Sequence, residues 1–519
     1  MKLFKNLLFS LLALLLLVCT GPALGVAQVA PNFTEAVFLQ VNDVYEIGAL
    51  DNGKKGGLAR VATVLQKLKA ENPNTYFIIC GDFLNPSVIG TMKHEGKTIK
   101  GKQMVDVMNY IRLDYAILGN HEFDLDFPEF QERVNESQFK WISTDVNGFE
   151  NVPFSKKDKD GYFIPFTGTE IIKVPGKNKK EYKIGLFSAT IPLAKKNWVT
   201  YNNYLQTSVA AARNLSASCN VVVGLTHLEI RQDRELAKSV PFVPLFMGGH
   251  DHDNMMVKEG NTVITKADAN ARSVYIHRIR FDDNTDQVKV ISESVNLDEK
   301  IVPHEGTTAV VNKWKNIAWE SMTSQGFEPD RVVRKLEIPL DGRESVVRNG
   351  QCKLGNLITA SMMAASKEKA VCAFFNSGSI RVDDIINGNL TEYDILRIMP
   401  YGGPILDVSL KGNLLKKVLD AGEENAGKGG YLQRSANVVK NKHKWQISGK
   451  DIDDAKVYNV VTGSFLFSGK EAGLAFFNDK NPDVLNISNP STDDKSDVRN
   501  DFRRTFIRYM ENKQLKIKK

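Results

Sequence analysis

Five short polar clusters in the first half of the chain carry groups able to bind metal ions and move protons. They are Asp43-Val44-Tyr45, Gly81-Asp82, Gly119-Asn120-His121-Glu122-Phe123-Asp124, Thr226-His227 and Gly249-His250-Asp251-His252. Asp43 and Asp82 offer carboxylates, Asn120 a neutral oxygen, and His227, His250 and His252 imidazole nitrogens. Either carboxylate has two oxygens and can bridge two cations. The set mixes nitrogen and oxygen without thiolate, which suits divalent transition-metal ions (Zn, Mn, Co or Fe) and argues against a dedicated calcium site. Two such ions side by side lower the pKa of a shared water and neutralise charge on a phosphoryl group. His121 follows Asn120 and would point the other way, towards substrate. Asp124, three residues on, would fix the His121 tautomer and stabilise its imidazolium, or else cap a helix starting near Phe127-Pro128-Glu129. Four of the 8 histidines fall inside these clusters; a lone histidine is more often structural, but His250 and His252, in a glycine-led turn after a strand, read as ligands.

The elements that deliver these groups are visible in the runs before them. Ala36–Val41, Tyr76–Cys80, Tyr115–Leu118, Val221–Val223 and Val243–Met247 are apolar, β-branched or aromatic, as buried strands are. Between them Gly56–Leu68 and Gln103–Met108 repeat apolar residues at helical spacing. Strand, helix, strand in repetition predicts a layered α/β domain from 35 to about 295. Within it the polar, Gly- and Lys-rich stretch 148–182 reads as an excursion of turns and a hairpin, and 275–295 as a closing hairpin. Thr307–Met322 reads as a helix in a bridging region, 296–330, and a second α/β region follows over 331–515.

At 519 residues the chain exceeds one ordinary core, in keeping with two domains. It is 42% hydrophobic and 25% charged, the balance of a soluble globular protein. Lys2 and Lys5, a mostly apolar run from Leu7 to Val18 and small residues after it read as a secretory signal over 1–25, cleaved in a periplasmic or extracellular protein. The formal charge of +7 includes Lys2 and Lys5, and 1–25 holds no acid, so the processed chain is near +5. That is weak support for a polyanionic partner, and no nucleic acid is expected. The basic stretch Lys513–Lys519 excludes a hydrophobic lipid-anchor signal, so no stable membrane anchor is expected. Cys80, Cys219, Cys352 and Cys372 show no CxxC spacing and suggest no disulfide framework, and nothing in the sequence supports a Cys352–Cys372 bridge.

Taken together, the Gly-Asn-His-Glu-Phe-Asp and Gly-His-Asp-His strings resemble those of the secreted 5′-nucleotidase family. In that family a calcineurin-like metallophosphoesterase domain precedes a 5′-nucleotidase C-terminal domain. The resemblance implies a four-layer α/β/β/α sandwich, a helical linker and a second α/β domain that binds substrate. It also implies a dinuclear centre: Asp43, Asp82 and His252 on one metal, Asp82, Asn120, His227 and His250 on the other, and His121 with Asp124 as catalytic dyad. In the second half, Asn376-Ser377-Gly378-Ser379-Ile380-Arg381 is similar to the family's Asn-x-Gly-x-x-Arg, and Arg348 falls where another substrate arginine belongs. Tyr401 and Phe465 match two rings that sandwich the base, which suits stacking on any nucleobase. The implied activity is dephosphorylation of nucleoside 5′-monophosphates or related nucleotides. Two departures keep alternatives open. Tyr45 stands where the family has histidine, and would either ligate as phenolate or step back and weaken the first metal site. Gly469-Lys470-Glu471 replaces Gly-Gly-Asp, with Glu471 in the ribose-binding acid's place. A hydrolase of nucleotide diphosphosugars, cyclic nucleotides or sulfur esters, or a nucleotide-binding protein with an impaired centre, would fit these departures.

Overall fold

The computed structural model describes residues 33–512 apart from 492, 493 and 495, so the signal read at 1–25 and the basic tail lie outside the described residues. The first sheet begins with four parallel strands, β1 (Phe33–Val41), β2 (Thr75–Ile79), β3 (Tyr115–Ile117) and β4 (Lys140–Ile142). A second sheet takes β5 (Thr169–Pro175), β6 (Glu181–Thr190), β7 (Val221–His227), β8 (Leu245–Gly248), β9 (Met255–Glu259) and β10 (Thr262–Lys266). The chain then returns to the first sheet through the antiparallel hairpin of β11 (Ser273–Asp282) and β12 (Val288–Asn296). The strand orders are β12-β11-β1-β2-β3-β4 and β5-β6-β7-β8-β10-β9.

Alternation along β1 shows why these layers form. Ala36 and Phe38 join Ile78, Ile117, Ile184, Val223 and Met247 in a core between the two sheets. Val37, Leu39 and Val41 face the opposite way, against helices α1 (Leu58–Glu71), α2 (Lys102–Ile111) and α3 (Phe127–Glu136). Helices α4 (Tyr204–Ser216) and α5 (Ile230–Ser239) cover the far face of the second sheet. The result is an α/β/β/α sandwich, as the resemblance implied. Asp126, not Asp124, caps α3 in a capping box with Glu129, which leaves Asp124 free for His121.

Helix α6 (Glu305–Ser324) packs on α1 and α2 and leads to the second α/β region. Its sheet contains β13 (Cys372–Asn376), β14 (Ile405–Lys411), β15 (Leu432–Arg434), β16 (Val457–Gly463) and β17 (Val484–Ser488), in the order β15-β13-β16-β14-β17. Helices α7 (Lys353–Ala365) and α9 (Phe502–Met510) cover one face and α8 (Gly412–Glu424) the other. One apolar cluster runs from the helical face of the first sheet through Trp314 of α6 to Phe375 and Phe506, joining the two regions. The four described cysteines are free, so the Cys352–Cys372 bridge is not formed. Among the described residues no helix is long and apolar enough to cross a membrane.

His277 of β11 is fully buried, hydrogen-bonded to Gln40 Oε1 and Ser292 Oγ at 2.8 Å each. Burial lowers its pKa to about 3, against about 6.5 for an exposed histidine. The folded chain therefore gains stability from neutral His277 above pH ~6.5 and loses it as pH falls towards 3, by up to a few kcal/mol. His277→Gln should flatten acid destabilisation across that window, read as urea midpoints at several pH values. Equal acid sensitivity in both proteins would assign the effect to other groups.

Candidate functional site

Four of the clusters sit just beyond the carboxyl ends of β1, β2, β3 and β8, and Thr226-His227 are the last residues of β7, where open α/β sheets form their crevices. The turns that hold them are tight. Asp43, Asp82, His250 and His252 all have positive φ, at 53°, 55°, 82° and 62°. Such backbone costs roughly 1–3 kcal/mol per residue and persists where surroundings over-determine it, typically at functional sites. Gly81, at φ +79°, has no room for a side chain: a Cβ would lie 2.7 Å from both the Gly119 nitrogen and His227 Nδ1.

Two groups of ligand atoms lie within 4.8 Å of one another, Asp82 with His227 and His250, and Asp43 with Asp82 and His252. Asp82 is common to both. Asn120 Oδ1 is buried and makes no hydrogen bond. His227 Nδ1 lies 2.8 Å from the Cys80 carbonyl, which leaves Nε2 as the ligand atom; Nε2 is buried 3.1 Å from Asp82 Oδ2 without a hydrogen bond. Buried polar atoms left unsatisfied in this way call for a further partner. The electrostatics call for a cation. Burial would lower the His227 pKa, yet Asp82 and Asp43 raise it to about 10. Burial would raise both acids, yet His252 and His227 hold Asp43 down, and His227 and His121 hold Asp82 down. The acids thus draw protons onto imidazoles where positive ions would serve, and the residues present fit divalent metal.

The Tyr45 hydroxyl has not stepped back. It lies 3.0 Å from His252 Nε2, 3.3 Å from Asp82 Oδ2 and 3.4 Å from Asp43 Oδ1. Burial and the neighbouring Asp82 and Asp43 raise its pKa well above 10, so the phenol is neutral.

His121 Nδ1 is 2.7 Å from Asp124 Oδ2. Against the lowering effect of burial, Asp124 and Asp82 raise the imidazole to about 9. Arg381 of the second region reaches this pair, with Nη2 3.2 Å from Asp124 Oδ2 and 3.5 Å from His121 Nδ1. Asn376 Nδ2 donates to Glu471 Oε2 at 3.0 Å, so two of the predicted substrate contacts meet. Gly378 lets their turn approach another: its N–H donates to the Gly429 carbonyl at 2.7 Å, and a Cβ would stand 3.1 Å from Gly429 Cα. Tyr401 and Phe465 lie just outside the paired ends of β14 and β16, 59% and 51% exposed, so neither ring serves the core. Arg348 ion-pairs with Glu344.

Several residues went unmarked in the sequence. Buried Glu122 accepts N–H bonds from Asp82, Phe83, Leu84 and Gly119 at 2.7–3.1 Å, tying two clusters together. Buried Lys266 pairs with Asp233 and with Asp251, between His250 and His252. Asp383 of the second region contacts His252 Nδ1. Only Glu122, inside a recognised string, carried any local signal.

The sequence model of the calcineurin-like phosphoesterase family matches residues 36–254, and that of the 5′-nucleotidase C-terminal domain matches 332–478. A human 5′-nucleotidase is 26% identical over 448 residues, covering 77% of this chain and 74% of the relative. A snake venom 5′-nucleotidase from Crotalus adamanteus is 25% identical over 464 residues, covering 80% and 75%. The crystal structure of a 5′-nucleotidase precursor from Thermus thermophilus shares the fold, with a TM-score of 0.67 at 19% identity over 92% of this chain and 96% of that one.

Proposed function

The chain belongs to the 5′-nucleotidase family of phosphoric monoester hydrolases, and on that premise we propose that it releases phosphate from nucleoside 5′-monophosphates or related nucleotides. The observation that carries this reading is Asp82 shared between two ligand groups, beside a His121–Asp124 pair that Arg381 of the second region touches. Its phosphoesterase domain would span 35–295, its linker 296–330 and its substrate domain 331–515. The basic and apolar start of the chain supports secretion to the periplasm or beyond.

Asp43, Asp82 and His252 would hold one divalent ion, and Asp82, Asn120, His227 and His250 a second. Once bound, such ions acidify water and neutralise phosphoryl charge. The rest falls to the chain. Arg348 and Arg381 would bind phosphate oxygens through paired hydrogen bonds. Tyr401 and Phe465 would clamp the base, with Asn376 at its edge and Glu471 at the ribose. His121, kept protonated by Asp124, would donate a hydrogen bond to the phosphoryl oxygen on which charge develops.

Purified protein supplied with Mn²⁺ or Zn²⁺ should release phosphate from AMP faster than from a nucleotide diphosphosugar, a cyclic nucleotide or a sulfur ester. Failure to hydrolyse AMP, UMP or an aryl phosphate with any transition metal rejects the reading. Tyr45→His should replace the phenol with an imidazole, the group the family has at this position. Losing a ligand or its partner typically costs about 10–100-fold, so the first site should tighten by a comparable factor, read as metal retained on dialysis. A coloured wild-type protein that loses activity on this substitution would identify Tyr45 as a phenolate ligand of ferric iron instead.

A further inference from the structure

Glu344 opens the one-turn helix Glu344–Val347, where its backbone N–H donates to Asp383 Oδ1 at 2.5 Å. Its Oε1 accepts from Arg348 Nη2 and lies 3.9 Å from Arg381 Nη1. Glutamate and arginine four positions apart are common on exposed helices, where they count for little. This pair faces inward. The Arg348 and Arg381 side chains are 19% and 13% exposed, and each Nε is buried without a hydrogen-bond partner. Arg348 thus donates to a carboxylate that Arg381, itself donating to Asp124 at 3.2 Å, also faces, and a buried donor left unpaired on each guanidinium is costly. A phosphoryl group offers more acceptor oxygens than a carboxylate and suits the planar guanidinium fork.

We propose that Glu344 is a built-in competitor for the phosphate subsite: its carboxylate occupies Arg348, beside Arg381, until a phosphoryl group displaces it. This rests on the phosphatase reading and deepens it, by naming the residue that limits how tightly phosphate is held. Glu344 is 26% exposed, so a displaced carboxylate has solvent to turn into. Because it returns when phosphate leaves, it also favours product release.

The test is calorimetric titration of the metal-loaded protein with inorganic phosphate, comparing wild type with Glu344→Gln. A hydrogen bond to a charged group is worth about tenfold or more in an equilibrium, so phosphate should bind about tenfold tighter to the variant. Arg348→Ala introduced into that variant should cancel the gain. Glu344→Ser repeats the measurement if the first variant misfolds. Unchanged or weaker phosphate binding overturns the proposal, since a glutamate that merely oriented Arg348 would help the anion rather than oppose it. Binding is read without turnover, so a protein that gains phosphate affinity yet hydrolyses nothing would count against the phosphatase reading alone.

Discussion

Asp82→Asn is expected to lower phosphate release by about 10²–10⁴-fold and to strip metal from both sites, because each site's loss of one ligand or partner costs about 10–100-fold. The expectation follows from Asp82 belonging to both ligand groups. Asparagine is nearly isosteric and, at φ 55°, among the residues that best tolerate left-handed backbone. The variant should therefore fold, and its far-ultraviolet circular dichroism should match the wild type. Metal analysis after dialysis separates the outcomes. A variant holding two equivalents of metal with more than a tenth of wild-type activity would show that Asp82 is not the bridge.

His121→Ala should lower kcat by about 10²–10⁴-fold, the usual contribution of a positioned acid or base, while leaving KM and metal content nearly unchanged. Asp124→Asn should act in the same direction through the imidazole, since Asp124 is the largest of the influences raising the His121 pKa. Loss of metal from His121→Ala would place His121 among the ligands and remove it from the proton chemistry.

The strands and their terminal clusters were legible because periodicity and turn chemistry are local. β1 alternates between two cores, and the residues after it leave the sheet where a parallel strand must end. What could not be read were contacts between distant positions. Asp383 reaches His252 only through the docking of the two regions, and Glu344 approaches Arg381 only through the folding of the second, and no spacing in the chain records either contact. The Tyr45 phenol is turned into the ligand cluster by its neighbours, which a substitution at a motif position does not disclose. Lys266 ends an apolar strand, where a lysine reads as solvated, yet two aspartates bury it.

β1 pairs along its length with β11, Phe33 opposite Asp282 and Gln40 opposite Tyr275. Its place in the sheet is therefore held for a segment synthesised almost a whole domain later. Asp43 leaves the end of this strand, and its carbonyl accepts the N–H of Asn270, whose side chain in turn accepts the N–H groups of Tyr45 and Glu46. Contact order this high slows folding, and until β11 arrives one edge of β1 lies open to wrong partners. The acids and imidazoles thus stay scattered along a nascent chain and meet only when the domain closes. A metal ion that needs these groups together would find no site before the domain closes, and would be taken up after the fold rather than nucleate it.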